Sequence, residues 1–159
     1  MSYLIVKWLH ILGASVLFGT GMGIAFFAWF GYRAAMRTGN LGLLQGVLNL
    51  TVRADTIFTA VAAALQPVTG IALWRMGGGP WHNPWLAWVM ALYVLVGACW
   101  LPVVVLQIRL RNEALAAKSI SDLGVRFHTR FRLWFLLGCP AFIAVLLLFG
   151  LMVGRGYFN

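Results

Sequence analysis

The chain has 159 residues, of which 62% are Ala, Val, Ile, Leu, Met, Phe, Trp, Tyr or Cys and only 9% are charged. A soluble domain draws roughly a quarter of its residues from the charged types to cover its surface, so a soluble enzyme, a disordered tail and a secreted disulfide scaffold are excluded. Twelve Lys and Arg against three acids give a net charge of +9; in a bilayer protein such an excess reports topology and attraction to anionic lipids, not nucleic-acid binding.

Taken in chain order, the first apolar run covers about residues 3–31, too long for the h-region of a cleavable signal. His10 lies about seven residues, or ~10 Å, inside it. At 100° per residue Gly13, Ala14, Leu17 and Gly21 share its face. An imidazole beside small residues suits a flat macrocycle whose iron needs an axial ligand, so haem b is one reading of His10 as a metal ligand. The same pattern serves a histidine that hydrogen-bonds a neighbouring helix where two backbones approach closely. Gly19 and Gly23, extended by Ser15, lie on the opposite face as a small-xxx-small pair for a helix of the same bundle or of a second subunit.

Residues 32–53 carry Arg33, Arg37 and Arg53. Asn40 is placed to cap a helix whose Leu41, Leu44, Val47 and Leu48 give it an apolar face, read as an interfacial helix leading into the second span. That span covers about 54–75. Gln66 and Pro67 interrupt it near mid-membrane and must find partners in the bundle, Tyr93 being a candidate. Arg53 and Asp55, at its basic entrance, are placed to meet other helices and not each other.

A turn dense in glycine and proline, 77–84, follows, flanked by Trp74, Trp81, Trp85 and Trp88 as in an interfacial belt. His82 sits in this loop. The third span covers about 85–108 and holds Met90 at nearly the depth of His10, a candidate second axial ligand or a gap-filling core residue. Residues 109–132 carry Arg109, Arg111, Lys118, Arg126, Arg130 and Arg132 among apolar residues, which fits a helical hairpin beyond the membrane. His128 belongs to that side and cannot share a site with His10. The fourth span covers about 133–154. Cys99 and Cys139 lie inside apolar runs and point to neither a disulfide framework nor zinc.

Nine of the twelve basic residues thus fall on two connections that share one side, and the positive-inside rule puts both termini on the periplasmic side of a bacterial inner membrane. Lys7, Arg75 and Arg155 remain at the outer surface, where they serve as snorkelling ends or as partners for haem propionates. The expected fold is an all-α membrane protein: one domain, 1–159, built as a four-transmembrane-helix bundle.

Lys7-Trp8-Leu9-His10, Gln66-Pro67 with Thr69-Gly70, Trp100-Leu101-Pro102, Gln107-Ile108-Arg109 and Gly138-Cys139-Pro140 together resemble a bacterial family of four-helix inner-membrane proteins of unknown function. The opening helix is also similar to that of the membrane-type protoporphyrinogen IX oxidase, which implies a haem-ligand role for His10. That oxidase relies on a lysine deeper in its bundle, and spans two to four here have none, so the resemblance carries the ligand role and not the oxidase activity. The Lys-x-x-His start is similar to that of copper-resistance D proteins as well. His10, Met76, Met90 and Met152 lie towards one side, but no spacing links them as a copper cluster.

Three functions follow as expectations. The first is a small haem b or redox-associated protein exchanging electrons with quinone or a partner, with His10, Met90, Gly13, Ala14 and Arg75 at the cofactor. The second is a non-catalytic accessory or assembly subunit that docks through Gly19 and Gly23, as a homodimer or in a larger complex. The third is a metal or small-molecule permease.

Overall fold

A computed structural model describes residues 2–154. Helix α1 (Tyr3–Thr38) turns back at Gly39 into α2 (Leu41–Ala54), which runs through a π-helical turn (Asp55–Thr59) into α3 (Ala60–Met76). Helix α4 (Pro84–Ala116) and α5 (Val125–Val153) are separated by a short segment holding the 3₁₀ turn Ile120–Asp122. No strand occurs among the described residues. Four helical stretches are long and apolar enough to cross a membrane: α1, the continuous Leu41–Met76, α4 and α5.

The helix ends follow local chemistry. Gly39 adopts φ 65°, and the amides of Gly39 and Asn40 both close on the Ala35 carbonyl, a termination that a Cβ at residue 39 would strain. The Asn40 side chain then accepts from the Leu43 amide at 2.9 Å and starts α2. Asn83 does the same for α4, accepting from the Trp85 amide at 2.8 Å, with Pro84 in the first helical position.

These helices outrun the bilayer. A 36-residue helix such as α1 is about 54 Å long, against about 30 Å of hydrocarbon. The excess lies at the basic end of the bundle, where residues 32–53 and 109–132, expected as connections, are mostly helical extensions of the spans, interrupted at 39–40 and 117–124. The tightest packing is there too: Ala35, Leu44, Leu110, Ala114, Phe127 and Phe131 are at most 1% exposed and join one core. The anticipated interfacial helix is therefore corrected. The apolar face of α2 is buried against α1 and α4, because two long neighbours offer it a better partner than lipid. Gly31 lets α2 approach, since a Cβ there would stand 2.6 Å from a Val47 methyl. The helical hairpin expected beyond the membrane is formed by the ends of α4 and α5, which pack along each other. Tyr32 stacks on Phe131 with centroids 3.9 Å apart and meets His128 Nδ1 at 2.6 Å.

The opposite, tryptophan-rich end is looser. Trp74 and Trp85 leave the expected belt and stack inside the bundle at 5.8 Å, while Trp81 and Trp88 stay exposed. Gly79 folds the 77–83 loop onto Trp74, whose ring a Cβ would meet at 2.7 Å.

Candidate functional site

At the tryptophan-rich end, α1 and α3 cross in a register set by polar side chains. His10 Nδ1 lies 2.7 Å from Thr69 Oγ1. The Thr69 hydroxyl also reaches the Leu65 carbonyl at 2.8 Å, one helical turn back. A hydroxyl has a single proton to give; directed at Leu65, it leaves Thr69 an acceptor for a proton on His10 Nδ1. With the hydroxyl proton so directed, Nδ1 carries the ring hydrogen and Nε2 keeps its lone pair. One step along, Gln66 Nε2 donates to the His10 carbonyl at 3.0 Å. That amide occupies the space a Cβ at Gly13 would fill, 2.7 Å away, while a Cβ at Gly70 would sit 3.4 Å from His10 Cε1. Two glycines on facing helices thus admit the glutamine and the imidazole.

His10 lines a cavity of about 480 Å³ formed by α1, α3, α4, α5 and the 77–83 loop. Ala14, Gln66, His82, Met90 and Tyr93 line it as well, and the Trp74–Trp85 stack forms part of its wall. The Trp85 indole is held by the Leu151 carbonyl of α5 at 2.9 Å. Tyr93 repairs a defect in this wall. Pro67 has no amide hydrogen for the carbonyl four residues earlier, that of Ala63, and Tyr93 Oη donates to that carbonyl at 2.6 Å.

Of the residues singled out from the sequence, His10, Ala14 and Met90 come together on this cavity. Gly13 instead lies beneath Gln66. Arg75 is exposed at the end of α3 and Lys7 is exposed on α1; neither is among the lining residues. Arg155 lies outside the described residues. His82 reaches the cavity from its loop. A Cβ at Gly19 or Gly23 would meet no atom of another helix within 4 Å, so no described helix packs closely on that face. Thr69 was missed as an orienting group, although a hydroxyl three residues after Gln66 on an otherwise apolar helix was a readable signal. A second cavity adjoins the first, sharing Leu17, Tyr93 and Val145 with it.

No curated protein and no solved structure matches the chain. Residues 4–156 match a protein family, nearly the whole length. With four apolar helices long enough to span a bilayer and that match, the chain belongs to the family described as "Predicted integral membrane protein (DUF2269)".

Proposed function

We propose that this protein is a small b-haem protein of the bacterial inner membrane, with both termini outside and His10 Nε2 as the axial donor to the iron. The observation that supports this most is the His10–Thr69 hydrogen bond. Metal-ligating histidines almost always give their other ring proton to an acceptor, which fixes the tautomer and aims the lone pair; with the Thr69 proton on the Leu65 carbonyl, Thr69 is such an acceptor for Nδ1 and leaves the Nε2 lone pair to a ligand, on a residue that lines a cavity. The volume falls within the 300–1,000 Å³ of sites for cofactors and comparable ligands. Among the described residues no three of His, Cys, Asp or Glu gather to hold an ion, as a bare metal would need. A porphyrin brings its own equatorial nitrogens and asks the protein for one or two donors.

When bound, the haem supplies one-electron chemistry. The chain's residues do the rest. Thr69 orients His10, Ala14 leaves room beside it, and the stacked Trp74 and Trp85 exclude water from one wall. Met90 would offer a thioether and His82 an imidazole as further donors from the same lining, and Arg75, exposed at the end of α3, would serve a propionate. Electrons exchange with quinone or a partner protein, and the arginine-rich end faces anionic lipid on the cytoplasmic side.

The test is a reduced-minus-oxidised spectrum with a pyridine haemochrome assay on protein purified after expression with haem supply. The expected result is about one haem b per chain, lost in His10→Ala while the protein stays in the membrane. Thr69→Val should weaken haem binding about 10- to 100-fold, the usual cost of removing such an orienting partner. Colourless protein, or His10→Ala with full haem content, refutes the proposal. The open face at Gly19 and Gly23 favours a second reading, an accessory subunit whose partner helix packs there. In that case a cysteine at position 19 crosslinks in membranes while the protein carries no haem.

A further inference from the structure

The second cavity, about 680 Å³, lies deeper along the bundle and carries one acid. Asp55 is 5% exposed at the start of the π-helical turn, an irregularity frequent at functional sites. Its Oδ2 accepts from Gln107 Nε2 at 2.6 Å and its Oδ1 from Trp100 Nε1 at 3.2 Å. Gln107 Oε1 in turn accepts from Trp134 Nε1 at 3.3 Å. Every one of these donors is neutral. Among the described residues the ion pair is Arg130–Glu113, elsewhere at the basic end, so no cation of the described chain pairs with Asp55.

The polar lining has a consistent sense. An ionised carboxylate has about four lone-pair positions, and Asp55 uses two. Thr59, 6% exposed, lies 3.2 Å from Thr20 Oγ1. With the Thr20 proton on the Val16 carbonyl at 2.7 Å, Thr59 donates in that pair and its own lone pairs remain. Tyr93 has given its proton to Ala63, and both indoles are engaged. Apart from the second amide hydrogen of Gln107, what this wall still offers is acceptors around a charge. The rest of the lining is apolar and aromatic, including Phe18, Phe135 and Phe142.

We infer that this cavity binds a lipophilic ammonium ion, its N–H groups on Asp55 and Thr59 and its apolar body among the rings of α1 and α5. The charge complements an acid that would otherwise be buried against neutral partners alone, a costly state inside a membrane. The aromatic faces add cation–π attraction. The wall includes Met22, Leu101 and Ile143, each more than half exposed, so the cavity borders the outside of the bundle and is reached by a solute dissolved among the lipid tails. This inference is independent of the haem proposal, which concerns the neighbouring cavity.

The test compares 4-phenylbutylamine with 4-phenylbutanol, which keeps the skeleton and removes the charge, by titration calorimetry on the full chain in zwitterionic nanodiscs. The amine should bind saturably at one site per chain, at least tenfold tighter than the alcohol. Asp55→Asn should abolish that preference. Gly97 lines the cavity, and a Cβ there meets nothing within 4 Å; Gly97→Leu, which should fold, should fill the space and weaken both ligands at least tenfold. Should Asp55→Asn fail to fold, the amine–alcohol comparison and Gly97→Leu still decide. Non-saturable uptake of the amine, equal affinity for amine and alcohol, or amine binding unchanged in Gly97→Leu or in folded Asp55→Asn would each overturn the inference.

Discussion

Tyr93→Phe isolates a repair that the bundle makes to its own proline. The substitution removes one oxygen and keeps the ring, so packing changes little and the Ala63 carbonyl loses the hydroxyl 2.6 Å away. Hydrogen bonds between transmembrane helices average about 0.6 kcal/mol and reach about 1.7, whereas leaving a buried carbonyl unpaired costs about 1–3 kcal/mol. Tyr93 borders both cavities, and water reaching the carbonyl through them would offset part of that penalty. The expected cost is therefore about 1–1.5 kcal/mol. Pro67→Ala supplies the missing amide hydrogen, which can close an ordinary helical bond on Ala63. In that background Tyr93→Phe removes a redundant donor and should cost below about 0.5 kcal/mol. The coupling of the two sites is then about 1 kcal/mol, well above the ~0.3–0.5 kcal/mol within which independent sites add. Reversible unfolding by SDS titration in mixed micelles, run on the four proteins of the cycle, measures it. Costs that add within that margin would refute the assignment of Tyr93 to the proline's carbonyl.

Gly31→Ala should destabilise the chain by about 1–3 kcal/mol, the range for overpacking, because the new methyl would stand 2.6 Å from Val47. Val47→Ala in the same chain should restore most of the loss in the same SDS titration, and absence of rescue would refute this contact as the cause. Asp122 caps the segment between α4 and α5, accepting from the Lys118 and Ser119 amides at 2.9 Å each. Those amides, Lys118 first, hold its carboxyl below its ordinary value of 3.8. The group binds its proton more weakly when folded, so its stabilisation is complete above the unfolded pKa and fades as pH falls through the lower folded value. Hydrogen exchange at Lys118 and Ser119, corrected for intrinsic rates, should show protection at pH 6 that declines below about pH 4. Asp122→Asn should lack that decline, and an unchanged profile would refute the role.

The spans, the caps at Asn40 and the face shared by His10, Ala14 and Leu17 were all legible in the sequence, because each depends on residues close together in the chain. Helix lengths were less so. Apolar content marks where lipid ends, and Arg33 or Arg109 ends an apolar run, yet α1 continues to Thr38 and α4 to Ala116 because neighbours cover them beyond the membrane. The face of Gly19 and Gly23 was expected to pack within the bundle or on a second subunit; the spacing alone could not tell which, and the described chain leaves it open. Asp55 was expected to meet other helices, and it meets α4 through Trp100 and Gln107, residues 45 and 52 positions away. Those partners were unreadable, since a π-helical turn shifts the face of every residue after it and nothing in Asp55–Thr59 announces the extra residue.

That turn and Pro67 bear on both cavities. Each interrupts the helical ladder of the same continuous span, Leu41–Met76. Such interruptions in a bilayer must be satisfied by neighbours. At the proline the neighbour is Tyr93 of α4, on the freed Ala63 carbonyl, and Gln66 beside it donates to the His10 carbonyl; the π-helical turn closes its own bond from the Ala60 amide to the Asp55 carbonyl, and its side chains Asp55 and Thr59 meet Trp100 and Gln107 of α4 and Thr20 of α1. Side chains from α4 thus reach across to α3 and the π turn where a continuous helix would have met them with apolar contacts. Bundle packing at native density leaves few voids, and here the two cavities lie beside the two interruptions, one lined by Asp55 and the other by Gln66 and Pro67. The membrane half is left free to keep its interior open, with an imidazole lining one cavity and a carboxylate lining the other.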